Sequence, residues 1–219
     1  MATRPKLSEA ETLEQYRVSL ENVEKQSEIA GIMSEFGYDV GAIAEGKDLL
    51  MKTREAYDFN KTEDDETSVA YYSFATKRHE LAETYLLHRK KAKVVFYKDY
   101  ITSDKLSISG ILPRTYLKWL ETAKRFYSVA MLDTDVQEKL ARLKFATEDL
   151  TLGRNLIIDL EAARAKYLRE KGESQAATNE KDKAFGIIDD WMREFYAVAK
   201  IAMDDKPQLL ESLGKFVRG

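Results

Sequence analysis

Apolar residues along this chain recur every three or four positions over long stretches, the spacing of one helix face. Leu13, Tyr16, Leu20, Val23, Ala30 and Met33 trace the first such face. Ser8 followed by Glu11 forms a capping box ahead of it: the hydroxyl accepts an early helix N–H and the carboxylate reaches back to the cap. Gly37 ends this helix. Asp39 caps the next, over about 40–59, whose face carries Ile43, Leu50 and Tyr57. Gly41 and Gly46 cost that helix about 1 kcal/mol each in propensity, and both also permit a close neighbour. The polar run 60–68, NKTEDDETS, reads as a turn. A third helix then extends to about Tyr97 through Phe74, Leu81, Tyr85, Ala92 and Val95.

Ser, Gly and Pro gather in the segment that follows, so 101–112 reads as the main linker. Pro113 suits the first turn of a fourth helix, where its missing N–H costs nothing. Asp133 or Thr134 caps a long fifth helix over about 135–171, with Gly153 as a bend. A second polar turn covers 171–183, and the sixth helix runs to Met203 with a wide apolar surface that includes Ile188, Trp191 and Phe195. Pro207 starts a short terminal helix carrying Leu209, Leu210, Leu213 and Phe216. No segment sustains period-two alternation, so no sheet is expected. The expected fold is all-α: an antiparallel bundle of about six main helices.

The two halves resemble each other. YRVSLENVEKQSEIAGI at 16–32 matches YLKWLETAKRFYSVAML at 116–132 through Tyr16/Tyr116, Leu20/Leu120, Glu21/Glu121 and Ala30/Ala130. Each segment leads to an Asp-Val pair, a helix, an acidic polar run and another helix. Two tandem helical units, 1–100 and 113–219, related by a pseudo-twofold and packed as one compact domain, are therefore expected. In that pairing Tyr85 aligns with Trp191 and His88 with Glu194.

Composition narrows the chemistry. Of 219 residues, 44% are apolar and 33% charged, with 10 Gly and 3 Pro, which suits long amphipathic helices with a real core. The absence of cysteine excludes disulfides, zinc fingers and thiol catalysis. A net charge of −3 disfavours a general nucleic-acid binder. The N-terminus has no apolar leader, and no run of about 18 apolar residues is present, so neither a secretory signal nor a membrane span is expected. A cytoplasmic protein is the expectation.

Both histidines lie in RHELAETYLLHRKKAK, 78–93, beside Glu80 and Glu83. Nine residues at about 100° each place His79 and His88 on opposite sides of a helix, so they cannot share one metal. Neither Glu-x-x-His nor His-Glu-x-x-His occurs. His79 is expected on the surface with Glu83, and His88 half-buried with a hydrogen-bond partner. The basic residues Arg89, Lys90, Lys91, Lys93 and Lys98 suit a helix C-terminus, with Phe96, Tyr97 and Tyr100 packing into a core. Asp64-Asp65 and Asp204-Asp205 read as caps or solvated charge, and Asp189-Asp190 as the one acidic pair beside an apolar face. No phosphate loop or nucleophile elbow is present, and no catalytic residue, metal or cofactor is assigned.

The third helix has a second apolar side through Val69, Tyr72, Leu87 and Val94. A helix with two apolar sides is either central or covered by a partner. The chain therefore reads as a non-enzymatic interaction or scaffold module, with a protein partner or another copy of itself as the occupant of that side. The competing reading is a small-molecule-binding or enzymatic bundle with a pocket between the repeats, lined by Tyr, Trp and acids such as Asp189 or Glu194.

Overall fold

The computed structural model describes residues 7–214; Phe216, expected on the terminal helix, lies outside them. The chain forms α1 (Glu9–Lys25), α2 (Ser27–Glu35), α3 (Val40–Val95), α4 (Tyr100–Lys105), α5 (Tyr116–Leu132), α6 (Thr134–Ala141) and α7 (Thr147–Ala202), followed by a 3-10 helix, Pro207–Leu213. The described residues contain no strand, and none of their helices is long and apolar enough to cross a membrane.

The caps read from the sequence fix several of these starts. Ser8 N–H donates to the Glu11 carboxylate at 2.7 Å while Glu11 N–H donates to the Ser8 hydroxyl at 3.3 Å. Asp39 accepts from Ala42 N–H at 3.0 Å at the head of α3, and Asp133 from Val136 N–H at 3.1 Å at the head of α6. Pro113, in contrast, lies before the helix: α5 begins at Tyr116 behind Thr115.

Other expectations change, among them the fifth helix, which breaks at 142–146 between α6 and α7. The first helix breaks at Gln26, whose backbone is extended. Val23 and Ile29 are both buried, yet six residues at about 100° each would turn them some 120° apart on a straight helix. The break re-aims Ile29 and Met33 at the core. The polar run 60–68 is not a turn: α3 passes through it as one helix of 56 residues. Nor is 171–183, since α7 is also a single helix of 56 residues. The first run contains neither Pro nor Gly and the second only Gly172, while Glu, Lys, Ala and Gln all suit a helix. Their polarity marks solvated helix surface, not chain reversal.

The chain divides into two compact units, each drawing on both long helices. Unit 1 comprises the described residues up to Asp64 together with those from Glu173 onward. Its core joins Leu20 and Val23 of α1, Ile29 and Met33 of α2, and Ile43 of α3 to Ile188, Met192, Phe195 and Ala199 of α7. Ser19, wholly buried on α1, places its hydroxyl 2.8 Å from Leu213 O and 2.6 Å from the Tyr196 hydroxyl, which ties the 3-10 helix to the core.

Unit 2 is the continuous stretch Asp65–Gly172. Here Leu81, Tyr85 and Ala92 of α3 and Phe96 just beyond its end pack with Leu120, Phe126 and Tyr127 of α5, Val136 and Leu140 of α6, and Leu150, Ile157 and Leu160 of α7. In each unit one glycine admits an aromatic ring against a helix backbone. A Cβ on Gly46 would stand 2.5 Å from Cη2 of Trp191, and one on Gly153 would fall inside contact distance of the Tyr127 ring. Gly153 is thus a packing glycine within an unbroken helix rather than a bend.

Candidate functional site

The segment that holds both histidines is internal to α3, within unit 2. His88 is buried more fully than expected and its Nδ1 lies 2.9 Å from the Tyr127 hydroxyl. Its ring stacks on Phe145 with centroids 4.2 Å apart. Burial pushes the imidazole below its usual pKa, and the same cause pushes the Tyr127 phenol up. Both groups are therefore neutral near pH 7, and the pair is a buried hydrogen bond between uncharged rings. His79 is exposed, and no ion pair joins it to Glu83.

The basic run is largely consumed by its own unit. Arg89 is buried and donates to Ser109 O and Gly110 O, both at 3.3 Å. Lys91 donates to Lys144 O at 2.9 Å and Lys93 to Gly110 O at 3.1 Å. Lys90 and Lys98 stay at the surface. Of the expected core aromatics only Phe96 is buried; Tyr97 is 67% and Tyr100 81% exposed. The helix ends at Val95 and Asp99 caps α4 by accepting from Thr102 N–H at 2.9 Å. That reversal turns Phe96 inward and leaves Tyr97 and Tyr100 outside.

The acidic pairs behave separately. Asp189 accepts from the Tyr16 hydroxyl at 2.7 Å; burial, joined by that bond, pushes the Tyr16 phenol well up. Asp190 faces outward and pairs with Arg193 across one helical turn at 2.5 Å. Asp64 accepts from the Ser174 hydroxyl at 2.8 Å, on a helix interior and not at a cap. Asp204 and Asp205 are exposed beyond the end of α7.

Two concavities stand out. In unit 1 a cleft of about 440 Å³ lies among α1, α2 and the head of α3, lined by Val23, Ala30, Tyr38 and Ile43 with Glu24 and Asp39 at its rim. Burial raises the Tyr38 phenol, and its ring meets Trp191 and Phe195 edge-on. In unit 2 a groove of about 510 Å³ between α5 and α7 is lined by Tyr127, Met131, Leu132, Ile157 and Ile158, with Lys124 and Arg154 beside it. Asp189 and Glu194 line neither.

The second apolar side of α3 is at the surface. Val69 is 67%, Tyr72 74%, Leu87 53% and Val94 65% exposed. At about 100° per residue Val69, Leu87 and Val94 fall within some 20° of one another, with Tyr72 about 60° away, so they form one stripe. Sequence reasoning missed that Tyr97 and Ile101 carry the exposed apolar surface past the helix end; the spacing 87, 94, 97, 101 was the available signal. No protein-family model matches this chain, and no curated protein or solved structure is found similar to it.

Proposed function

We propose that this chain is a non-enzymatic interaction or scaffold module, built from two copies of one helical unit, with the outer stripe of α3 as a contact surface. The observation that carries the functional reading is the exposure of Val69, Tyr72, Leu87 and Val94 along one line of a helix whose opposite side is core. Val69 with Tyr72 and Leu87 with Val94 form two exposed apolar patches on that line, with Thr76, Glu80 and Glu83 between them, and exposed apolar patches are where partners dock.

The duplication draws support from register. α1 and α5 start at 9 and 116, α3 and α7 at 40 and 147, and α4 and the 3-10 helix at 100 and 207, an offset of 107 each time. α1 and α5 are 17 residues each, α3 and α7 are 56 each. Left-handed backbone recurs at Gly37 and Lys144, and again at Ser107 and Gly214. Leu13/Leu120, Ala70/Ala177, Ala92/Ala199 and Leu106/Leu213 are identical and buried at that offset, and Gly46/Gly153 both admit a ring. The pairing of 16–32 with 116–132 is thus seven residues out of register. Seven residues turn a helix by two turns less about 20°, so both pairings keep the apolar faces in phase. In the 107 register the first copy runs on through α4 to Ser107, past the expected boundary at 100 and into the expected linker 101–112, so that only about 108–115 lies between the copies, and His88 answers to Phe195. Each compact unit takes its first part from one copy and its second part from the other.

Sedimentation of the full chain tests the contact surface. Replacing Val69, Tyr72, Leu87 and Val94 together by serine should lower the mass of any assembly to that of the monomer without loss of helix signal. An unchanged assembly, or a wild type that is monomeric throughout, overturns the reading. A second reading, binding of a small molecule, draws on the cleft beside Tyr38; it expects Ala30→Trp to abolish ligand-induced thermal stabilisation.

A further inference from the structure

Two surfaces 107 residues apart in sequence share a spacing of exposed positions and differ in the sign of their charge. In unit 2, Leu87, Lys90 and Val94 lie on the outer face of α3, and Tyr97 and Lys98 follow in the turn beyond it. In unit 1, Glu194, Ala197 and Ile201 lie on the outer face of α7, and Asp204 and Asp205 follow in the turn beyond that helix. All ten positions are exposed. Each surface centres on a β-branched side chain, Val94 at 65% and Ile201 at 68% exposure. Around the first stand Lys90 and Lys98, the latter 5.3 Å above the Tyr97 ring. Around the second stand Glu194, Asp204 and Asp205, with Lys200 and the Glu28-paired Lys206 as neighbouring cations. None of these two lysines and three acids makes an ion pair among the described residues, so their charge is available.

We propose that the basic-aromatic face of one copy of this chain docks on the acidic face of a second copy. The proposal rests on the interaction-module reading and names its partner. Opposite charge brings the two faces together and sets their orientation. The apolar centres, Val94 with Tyr97 on one side and Ile201 on the other, then lose water against each other. Like faces repel, so the contact is heterologous: each copy uses one face of each kind, and copies add head to tail into an open chain or a closed ring. Five residues a side is far below the roughly 20–30 of a standard stable interface. The association is therefore weak and salt-dependent, because the charges are exposed and the screening length shrinks from roughly 30 Å at 0.01 M salt to 3 Å at 1 M.

Sedimentation velocity on the full chain, across protein concentration at low and high salt, tests this. The wild type should show an average mass that rises with concentration at low salt and returns to the monomer at high salt. Lys90→Glu with Lys98→Glu leaves both faces acidic; Glu194→Lys with Asp204→Lys and Asp205→Lys leaves both basic. Each variant alone should be monomeric. Their equimolar mixture should associate again, at least tenfold more tightly than either alone, because each basic face now meets an acidic one. That recovery cannot come from a misfolded variant. A monomeric wild type at low salt, self-association unaffected by either reversal, or a mixture that stays monomeric overturns the proposal. So does capture of the wild type, without self-association, by phosphatidylserine-containing vesicles but not by pure phosphatidylcholine vesicles, which would assign the basic face to an anionic membrane. Association that resists both charge reversals but disappears in the fourfold α3 serine variant sinks the head-to-tail contact and leaves the interaction module standing. Association that survives all three variants sinks both.

Discussion

Gly153→Ala sets two effects of opposite sign against each other. Inside a helix, alanine is favoured over glycine by about 1 kcal/mol, and Gly153 lies inside α7. The missing methyl, however, is where the Tyr127 ring sits. That ring cannot swing aside freely: it is buried, its centroid is 5.1 Å from that of Phe126 and 6.0 Å from that of Tyr85, and its hydroxyl lies 2.9 Å from His88 Nδ1. Forcing an extra carbon into such packing costs about 1–3 kcal/mol. Displacing the hydroxyl from His88 leaves a buried imidazole unpaired, for about 1 kcal/mol more. The net loss is about 1–3 kcal/mol, a fall in melting temperature of about 2–12 °C for a chain of this size. Gly172→Ala, on the same helix but with nothing within 4 Å of the added carbon, should instead gain up to about 1 kcal/mol. Thermal melts followed by far-ultraviolet circular dichroism compare the two directly. A Gly153→Ala protein that melts at or above the wild type would refute the packing argument.

His88 supplies a pH test. Its folded pKa lies below the usual 6.5 because burial disfavours the imidazolium; the Asp149 charge opposes this and Lys91 adds to it. Its contribution to stability is therefore intact above the unfolded pKa and is lost as pH falls through it, by at most about 1.4 kcal/mol per pH unit for one proton. The double variant His88→Phe, Tyr127→Leu, which copies the residues Phe195 and Leu20 found at the 107 offset, should flatten the acid side of the melting-temperature profile; an equally steep acid loss in that variant counts against the assignment. Asp65→Pro, at an exposed position inside α3, should cost about 3 kcal/mol or more because the helix is continuous there, whereas urea unfolding with an unchanged midpoint would restore the turn. Tyr16→Phe removes a part-buried hydrogen bond to Asp189 and should cost about 1 kcal/mol by the same urea measurement; no change would mean that the bond adds nothing net.

The features legible in the sequence follow local rules. The Ser8–Glu11 box, the Asp39 and Asp133 caps and the burial of Leu81 and Tyr85 all depend on residues within a turn or two of each other, and all are found. The errors arose where tertiary packing decides. Polarity at 60–68 and 171–183 suggests turns because a solvated helix and a solvated loop have similar composition; only the lack of Pro distinguishes them. The Gln26 break has no Gly or Pro to announce it and exists because Val23 and Ile29 must reach the same core. Tyr97 and Tyr100 looked like core residues because the reversal at Asp99 was not recognised. The exposure of the α3 stripe could not be known from periodicity, which identifies an apolar side but not whether something covers it.

The makeup of the two units also sets an order of events during synthesis. Unit 2 is one uninterrupted stretch, Asp65–Gly172, and can close once its own residues have emerged from the ribosome. Unit 1 needs α1, α2 and the head of α3, which are made before unit 2, and also the last part of α7, which is made after it. At roughly 5–20 residues per second the earliest helices wait on the order of ten seconds for Ile188, Met192 and Phe195. Through that interval Leu20, Ile29, Met33 and Ile43 have no core to enter. The residues of α1, α2 and the head of α3, though made before unit 2, are thus sheltered after it, and are where a chaperone would find apolar surface to hold.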